Sequence, residues 1–509
     1  MLRRAFISTY SVQIFSALIS ILLVPIYVDL LGIEKFALIG FLILLQNILL
    51  IFDAGIGGAL TRQIAIVKTN PSDYKEFLNK FLIILLFFIF IALGLFLFGY
   101  INNTFIIEKW IKSDLETSLL STCINSIFLI LALKYVSGLF RNSLMGLEKH
   151  TLISAVNFIL ITFRSPGGLL ILYLFDFNIS AYFIFQVYLS ILELVIFILI
   201  FGYYSQKIIN SNPLPVKSQH EVSLKSLIIL SSQLSILTIV WVIVAQVDKF
   251  ILSRELNLSE YGYYTLALTI SGVLLMFSQP ISQILRSRLS VLFSLKDSVE
   301  YIKLYANSYI ATIIVIIPLS IFLFIFSHQI IFMWTGDLLI ADSSYIYSKW
   351  LALGNGISVL LAFTFILQYS LGKLKKHVQV YLLYSLLIVP AAIYIANIYK
   401  GEGTAFFWFL HNLIFFITWA TMVHRRFIKR INSLLYIRIL IPVFLISFLW
   451  FTIVNYLIDT SEMSRILLGF TLFFVGICDM ILISIYLFIY KTKLLKLVTN
   501  LKFTNYSYA

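Results

Sequence analysis

The sequence predicts an all-α polytopic membrane protein with about 14 transmembrane helices, arranged as two parallel pseudo-symmetric six-helix lobes plus an appended C-terminal helix pair. Three observations predict it. Of 509 residues, 61% are hydrophobic and only 12% charged, with a mean hydropathy of +1.00, whereas a soluble chain carries about 25% charged residues. Apolar runs long enough to cross a bilayer, about 20 residues each, recur along the whole length. Finally, Ser143-Leu-Met-Gly-Leu-Glu-Lys-His150 is echoed by Ser370-Leu-Gly-Lys-Leu-Lys-Lys-His377, 227 positions on (370 − 143). Glu34 and Arg62 bracket one apolar run as Glu260 and Arg288 bracket another, and Asp73-Tyr74 matches Glu300-Tyr301. Fixed-offset similarity of this kind marks two related halves.

Taken in order, the expected spans are roughly 10–31, 36–60, 77–101, 117–140, 151–175, 181–204, 224–247, 261–285, 304–333, 345–371, 378–399, 403–424, 435–457 and 465–490. The start, Met1 to Arg4, is basic and runs into a long apolar stretch without a small-residue cleavage site, so it reads as a retained first helix. The run 304–333 is long enough to tilt or to extend past the bilayer. Residues 1–204 then form an N-terminal six-helix lobe and 224–424 a C-terminal one. Between them the polar stretch 205–223, with Pro213 and Pro215, is a linker. Residues 425–509 supply the appended helix pair and a basic tail.

The net charge of +14 invites a nucleic-acid reading, which the positions of the charges remove. If Met1 lies inside, the outer connections hold only Lys35, Lys109, Lys112, Lys249, Arg254, Lys349, Lys400 and Arg465 among the 37 Lys and Arg, and two more fall within spans. All the others are on the inner side, which predicts both termini in the cytoplasm. The tracts His424-Arg425-Arg426, Lys429-Arg430 and Lys491, Lys493, Lys496 are then membrane-surface anchors. Cys123 and Cys478 lie inside apolar runs, so no disulfide framework or metal site is expected. No phosphate-binding glycine loop and no His-Glu-x-x-His spacing occurs, and no outer connection is long enough for a catalytic domain. The expectation is a protein without cofactor or catalytic site, working within its helical bundle.

Charges inside the spans carry the functional signal, because each costs about 2.5–3.5 kcal/mol near the bilayer centre unless partnered or wet. On the fourth span Ser126, Lys134, Ser137, Gly138 and Arg141 share one helical face. Arg164 lies in the fifth, followed by Ser165-Pro166-Gly167-Gly168, a break in the helix. Glu193 shares a face of the sixth with Tyr182, Gln186 and Ser190. Two readings follow: Lys134 and Arg164 bind an anion, phosphate suiting the guanidinium fork, or they pair with Glu193 and hold the bundle together. Two cations against one acid favour the anion site. Asp53, with Gln46 and Gly57 on its face, is a candidate for ion coupling, as is Glu193, or it pairs with Arg62 at the interface. Arg62 and Arg288, repeat mates at inner span ends, either contact substrate or snorkel. Asp479 belongs to the appended pair. Spans eight to twelve carry no central charge, so the second lobe is expected to offer an apolar, aromatic wall to a lipid tail.

Twelve plus two spans, Pro25, Leu31-Gly32-Ile33-Glu34-Lys35-Phe36 and Asp53-Ala-Gly-Ile-Gly57 together resemble the bacterial polysaccharide transporters, the O-antigen and capsule-repeat flippases of the multidrug/oligosaccharidyl-lipid/polysaccharide superfamily. Asp53-Ala54-Gly55 departs from that family's usual Asp-Leu-Gly. The resemblance implies an undecaprenyl-pyrophosphate-linked oligosaccharide as substrate, moved from the cytoplasmic to the periplasmic leaflet of the inner membrane by alternating access. It also implies a cationic cavity, which Lys134 and Arg164 match by position type, and a polysaccharide polymerase and chain-length protein as working partners beside membrane lipid. A cation-coupled drug antiporter of the same superfamily would need an acidic interior, and a membrane-embedded repeat-unit polymerase a large outer loop.

Overall fold

The computed structural model describes residues 2–53, 56–68, 71–210, 224–460, 463–499 and 501–503. It divides into one unit of Met1–Gly262 with Tyr381–Val389 and another of Tyr263–Val380 with Pro390–Ala509. The first unit holds α1 (Leu2–Asp53), α2 (Ile56–Val67), α3 (Pro71–Ile101), α4 (Asn103–Phe105), α5 (Thr117–Gly146), α6 (His150–Arg164), α7 (Pro166–Leu174), α8 (Ile179–Ile209) and α9 (Leu224–Glu255). Helix α10 (Leu258–Ser294) begins in the first unit and ends in the second. The second continues with α11 (Ser298–Ile325), α12 (Ser327–Thr335), α13 (Leu338–Ser370), α14 (Lys375–Phe415), α15 (Thr421–Phe427), α16 (Ile441–Leu457) and α17 (Arg465–Thr499). The Tyr381–Val389 stretch of α14 groups with the first unit.

The chain is thus an all-α polytopic membrane protein, and each expected span lies in helix within a few residues of its ends. Among the described residues ten stretches are long and apolar enough to cross a membrane. One of these, Lys375–Phe427, covers two expected spans and is broken at Lys400, whose φ is 51°. The first two expected spans are the arms of α1, broken at Gly32 with φ 74°, where glycine alone turns left-handed without a Cβ penalty. Of the expected 36–60 span, 36–53 and 56–60 are helical, and 54–55 lie outside the described residues. Two details refine the reading of the sequence. The 304–333 run divides at Phe326 between α11 and α12. The C-terminal segment is not wholly helical, since β1 (Ile428–Lys429) pairs antiparallel with β2 (Lys502–Phe503). Of the 205–223 linker, 205–209 extend α8, and 211–223 lie outside the described residues.

The repeat is visible in local structure. Pro71 and Ser298, which open α3 and α11, are 227 apart (298 − 71). The echoed Tyr74 and Tyr301 are both fully buried. Each hydroxyl meets a serine Oγ, Ser205 at 2.8 Å and Ser370 at 2.5 Å. The paired octapeptides both end a helix in the same way. Glu148 (φ 60°) and Gly372 (φ 67°) take the left-handed position, and the N–H groups of the next residues, Lys149 and Lys373, return to Leu144 O and Gln368 O. These two turns are 224 apart (372 − 148), so the helix ends have drifted three residues from the sequence register. His150 accordingly opens α6 exposed, whereas His377 is buried in α14 and accepts at Nδ1 from Trp419 Nε1.

In the first unit α5 is the hub, packing on α1, α2, α3, α6 and α8. Phe88 stacks on Tyr135 at 4.6 Å, and Phe81 lies against both Phe140 and Phe201. Gly99 lets α3 approach closely: a Cβ there would fall 2.1 Å from Phe128 Cγ. The 106–116 connection is a strap. Trp110 Nε1 donates to Ser253 Oγ (3.1 Å) and Leu258 N to Lys112 O (2.8 Å). From the other side, Ser113 Oγ and Asp114 N both donate to Glu34 Oε1, at 2.7 and 3.2 Å. It therefore ties the second arm of α1 to the α9–α10 turn. In the second unit α11 packs on α12, α13, α16 and α17, and Tyr309 stacks on Phe363 at 4.3 Å.

Candidate functional site

The charged residues of α5, α6 and α8 come together inside the first unit. Pro166 has no N–H to donate, so α6 ends at Arg164 and α7 restarts with Pro166 in its first turn. Ser165 O, at that break, accepts from Tyr27 Oη at 2.6 Å. Arg164 lies along the stripe of α8 made by Gln186, Ser190 and Glu193, spaced i, i+4, i+7. Gln186 grips it at both ends: Oε1 accepts from Nη1 at 3.2 Å, and Nε2 donates to the Arg164 carbonyl at 3.0 Å. Nη2 donates to Ser190 Oγ (3.3 Å) and to Glu193 Oε2 (2.7 Å). The ion pair is well shielded, with side-chain exposures of 17% and 10%. Burial of the pair is supported by neutral hydrogen-bonding partners, as a low-dielectric ion pair requires.

Lys134 sits differently. It is half-buried, and among the described residues it makes no hydrogen bond or ion pair, although Arg164, Glu193 and Arg141 all act on it electrostatically. Arg141, two turns along α5, is half-buried and its Nε is shielded from solvent without a hydrogen-bond partner. Among the described residues the cluster therefore sets three cations against one carboxylate, and that carboxylate is engaged by Arg164. Of the two readings of the sequence, pairing with Glu193 describes Arg164, and surplus positive charge describes Lys134 and Arg141. Gln186 and Ser190 as Arg164 partners were legible only as members of the Glu193 face.

The other candidates lie apart or beyond description. The side chains of Asp53 and Arg62 are outside the described residues. Arg288 is exposed on the part of α10 that belongs to the second unit. Asp479 is fully buried and accepts from Ser447 Oγ at 2.9 Å, while its Oδ1 has no partner. It borders an apolar groove of about 1060 Å³ between α11, α12 and α17, whose walls include Pro318, Phe322, Met333 and Phe451. A second cavity of about 650 Å³ lies beside Thr418, Thr421, Arg425 and Arg426. No group of three or more metal-ligating side chains occurs among the described residues.

Outside the spans, Lys68 bridges to Glu148 at 2.9 Å, and that hydrogen bond and charge hold the Glu148 carboxyl below its ordinary range.

No curated protein matches the chain. Among solved structures it is similar to the lipid II flippase MurJ in an inward closed conformation, at 16% identity, covering 96% of this chain and 98% of that one with a TM-score of 0.63. It is also similar to an inward-facing multidrug resistance MATE family transporter of the MOP superfamily, at 13% identity, covering 82% and 98%, TM-score 0.58. A third is a MOP superfamily transporter from Pyrococcus furiosus for which reverse polarity of the binding pocket suggests a different function, at 14% identity, covering 82% and 95%, TM-score 0.51. These likenesses establish a shared fold. Residues 2–285, more than half the chain, match the family of polysaccharide biosynthesis proteins. With its helices in the arrangement of MOP superfamily transporters, the chain belongs to the polysaccharide biosynthesis protein family.

Proposed function

We propose that the chain is a flippase that moves an undecaprenyl-pyrophosphate-linked oligosaccharide, an O-antigen or capsule repeat unit, from the cytoplasmic to the periplasmic leaflet of the bacterial inner membrane. The observation that carries this reading is the charge surplus around α5. Among the described residues Lys134 and Arg141 have no carboxylate of their own, and a cation within a span is costly unless it is wet or an anion visits it. A pyrophosphate head supplies that anion and matches both an ammonium and a guanidinium. The groove of about 1060 Å³ beside α17 supports an apolar path for the lipid tail. An antiporter of organic cations would call for the opposite balance of charge.

Alternating access between the 1–204 and 224–424 lobes, with both termini cytoplasmic, completes the proposal. Arg62 and Arg288 serve as guides at the inner rim, and Asp53 or Glu193 as sites of ion coupling. Outward movement of a dianionic head down an inside-negative potential releases about 2.3 kcal/mol per charge per 100 mV, so coupling adds to a gradient that already favours export. A repeat-unit polymerase and a chain-length protein would act on the product.

The test is the leaflet accessibility of the lipid-linked repeat in cells producing Lys134→Ala, Arg141→Ala or Arg164→Ala at matched protein levels. Lys134→Ala and Arg141→Ala are expected to slow translocation at least tenfold, a change of about 1.4 kcal/mol. Wild-type translocation in both would remove the anion site.

A further inference from the structure

We infer that Gly138 is the floor of the phosphate subsite, a point where the α5 backbone is left bare so that an anion can settle between Lys134 and Arg141. This inference rests on the anionic-substrate reading above and gives it a specific seat.

Glycine inside a helix is unfavourable by about 1 kcal/mol relative to alanine, so a mid-helix glycine asks for a reason. Packing supplies one at Gly146 of the same helix, where a Cβ would stand 2.6 Å from Thr61 O and 2.8 Å from Ile64 Cβ. Packing supplies none at Gly138. A Cβ there would meet no protein atom within 4 Å, although α5 is a buried hub and its neighbours Ser137 and Leu139 are buried. Gly138 lies one turn after Lys134 and one turn before Arg141, on the face they share with Ser137. Lys134 and Arg141 are separated by seven residues, about 10.5 Å of helix rise, with Gly138 between them. Both side chains are long enough to converge over it. Lys134 has no hydrogen-bond partner among the described residues, and Arg141 Nε has none. Hydrogen-bonding capacity and a bare stretch of backbone thus occur at one spot. A Cβ would stand where a phosphate oxygen must sit, and the helix gives up stability to keep that place clear.

The experiment uses the purified full-length protein with inorganic pyrophosphate and farnesyl pyrophosphate as probes, comparing wild type with Gly138→Ala, Gly138→Val, Gly146→Ala and Lys134→Gln. Unfolding temperature and probe affinity are both measured. Gly138→Ala should unfold no earlier than wild type yet bind both probes about tenfold more weakly, roughly one well-placed hydrogen bond. Gly138→Val should bind more weakly still, and Gly146→Ala should lose stability. Unchanged affinity in Gly138→Ala, or a fall in its unfolding temperature, would overturn the inference. The parent reading fails separately, and the inference with it, if wild type does not bind either probe or if Lys134→Gln binds as wild type does. Weakened binding in Lys134→Gln beside full binding in Gly138→Ala removes the inference alone.

Discussion

Removing Arg164 and removing Lys134 should have opposite consequences for stability, although both delete one positive charge from the same cluster. Arg164→Ala leaves Glu193 buried without its 2.7 Å partner and leaves Gln186 Oε1 and Ser190 Oγ without their donor. Both members of the ion pair are less than a fifth exposed, so solvent screening recovers little. Breaking such a pair from one side costs about 3–5 kcal/mol. Glu193→Gln keeps an acceptor for Nη2 and should cost about 1 kcal/mol, the difference between a charged and a neutral hydrogen bond. Replacing both, Arg164→Leu with Glu193→Leu, should recover most of the loss, because an apolar pair of similar volume is often neutral. Lys134→Ala has no bond to break and removes repulsion from Arg141 and Arg164, so it should lie within about 0.5 kcal/mol of wild type or above it. Equilibrium unfolding in detergent micelles reads all four. If Arg164→Ala were as stable as wild type, or Lys134→Ala as damaged as Arg164→Ala, the division between a pinned and a free cation would be wrong.

Other outcomes follow from the same geometry. Tyr74→Phe and Tyr301→Phe, which remove the buried bonds to Ser205 and Ser370, should each lower stability by about 1–3 kcal/mol by leaving a serine hydroxyl with one partner fewer, as the same unfolding measurement reports. Gly99→Ala should destabilise α3 against α5, since an added Cβ would overlap Phe128 from Cβ to the ring and force the two helices apart. A helix-specific loss of amide protection in hydrogen exchange would check it. Glu148→Gln should change stability by less than about 1 kcal/mol, because Glu148 is 73% exposed. Lys68 lowers the Glu148 carboxyl below its ordinary 4.5, so the pair's small contribution is whole above that pH and fades as the pH falls further. A pH titration of unfolding in wild type and Glu148→Gln should therefore converge only in acid.

Much of this architecture is written in local patterns. Apolar runs, the Pro166 break and the left-handed turns at Gly32 and Gly372 all follow from residues within a few positions of one another. The candidate site was legible to the level of helix faces: Lys134 with Arg141, and Gln186 with Ser190 and Glu193. What faces could not decide was which cation the acid would take. That depends on where α6 stops, because the break at Ser165 delivers Arg164 to α8 and leaves Lys134 on a separate helix. The strap was hidden for a different reason. Trp110 and Ser253 are 143 residues apart, and nothing periodic links them. The three-residue drift between the two octapeptides arises because Glu148 and Gly372, rather than matched sequence positions, set where each helix turns.

The strap has a consequence for how fast the molecule can rearrange. Among the described residues its contacts join α1 to the α9–α10 turn through five hydrogen bonds, two of them to the carboxylate of Glu34. A motion that parts these two elements must release the strap at one end, at Trp110 or at Glu34, and bonds to a charged acceptor are each worth about 1.5–3 kcal/mol. That places a barrier to such a motion in the 106–116 connection. Exchanging Glu34 or Trp110 is the way to loosen that link without touching Lys134, Arg141 or Arg164.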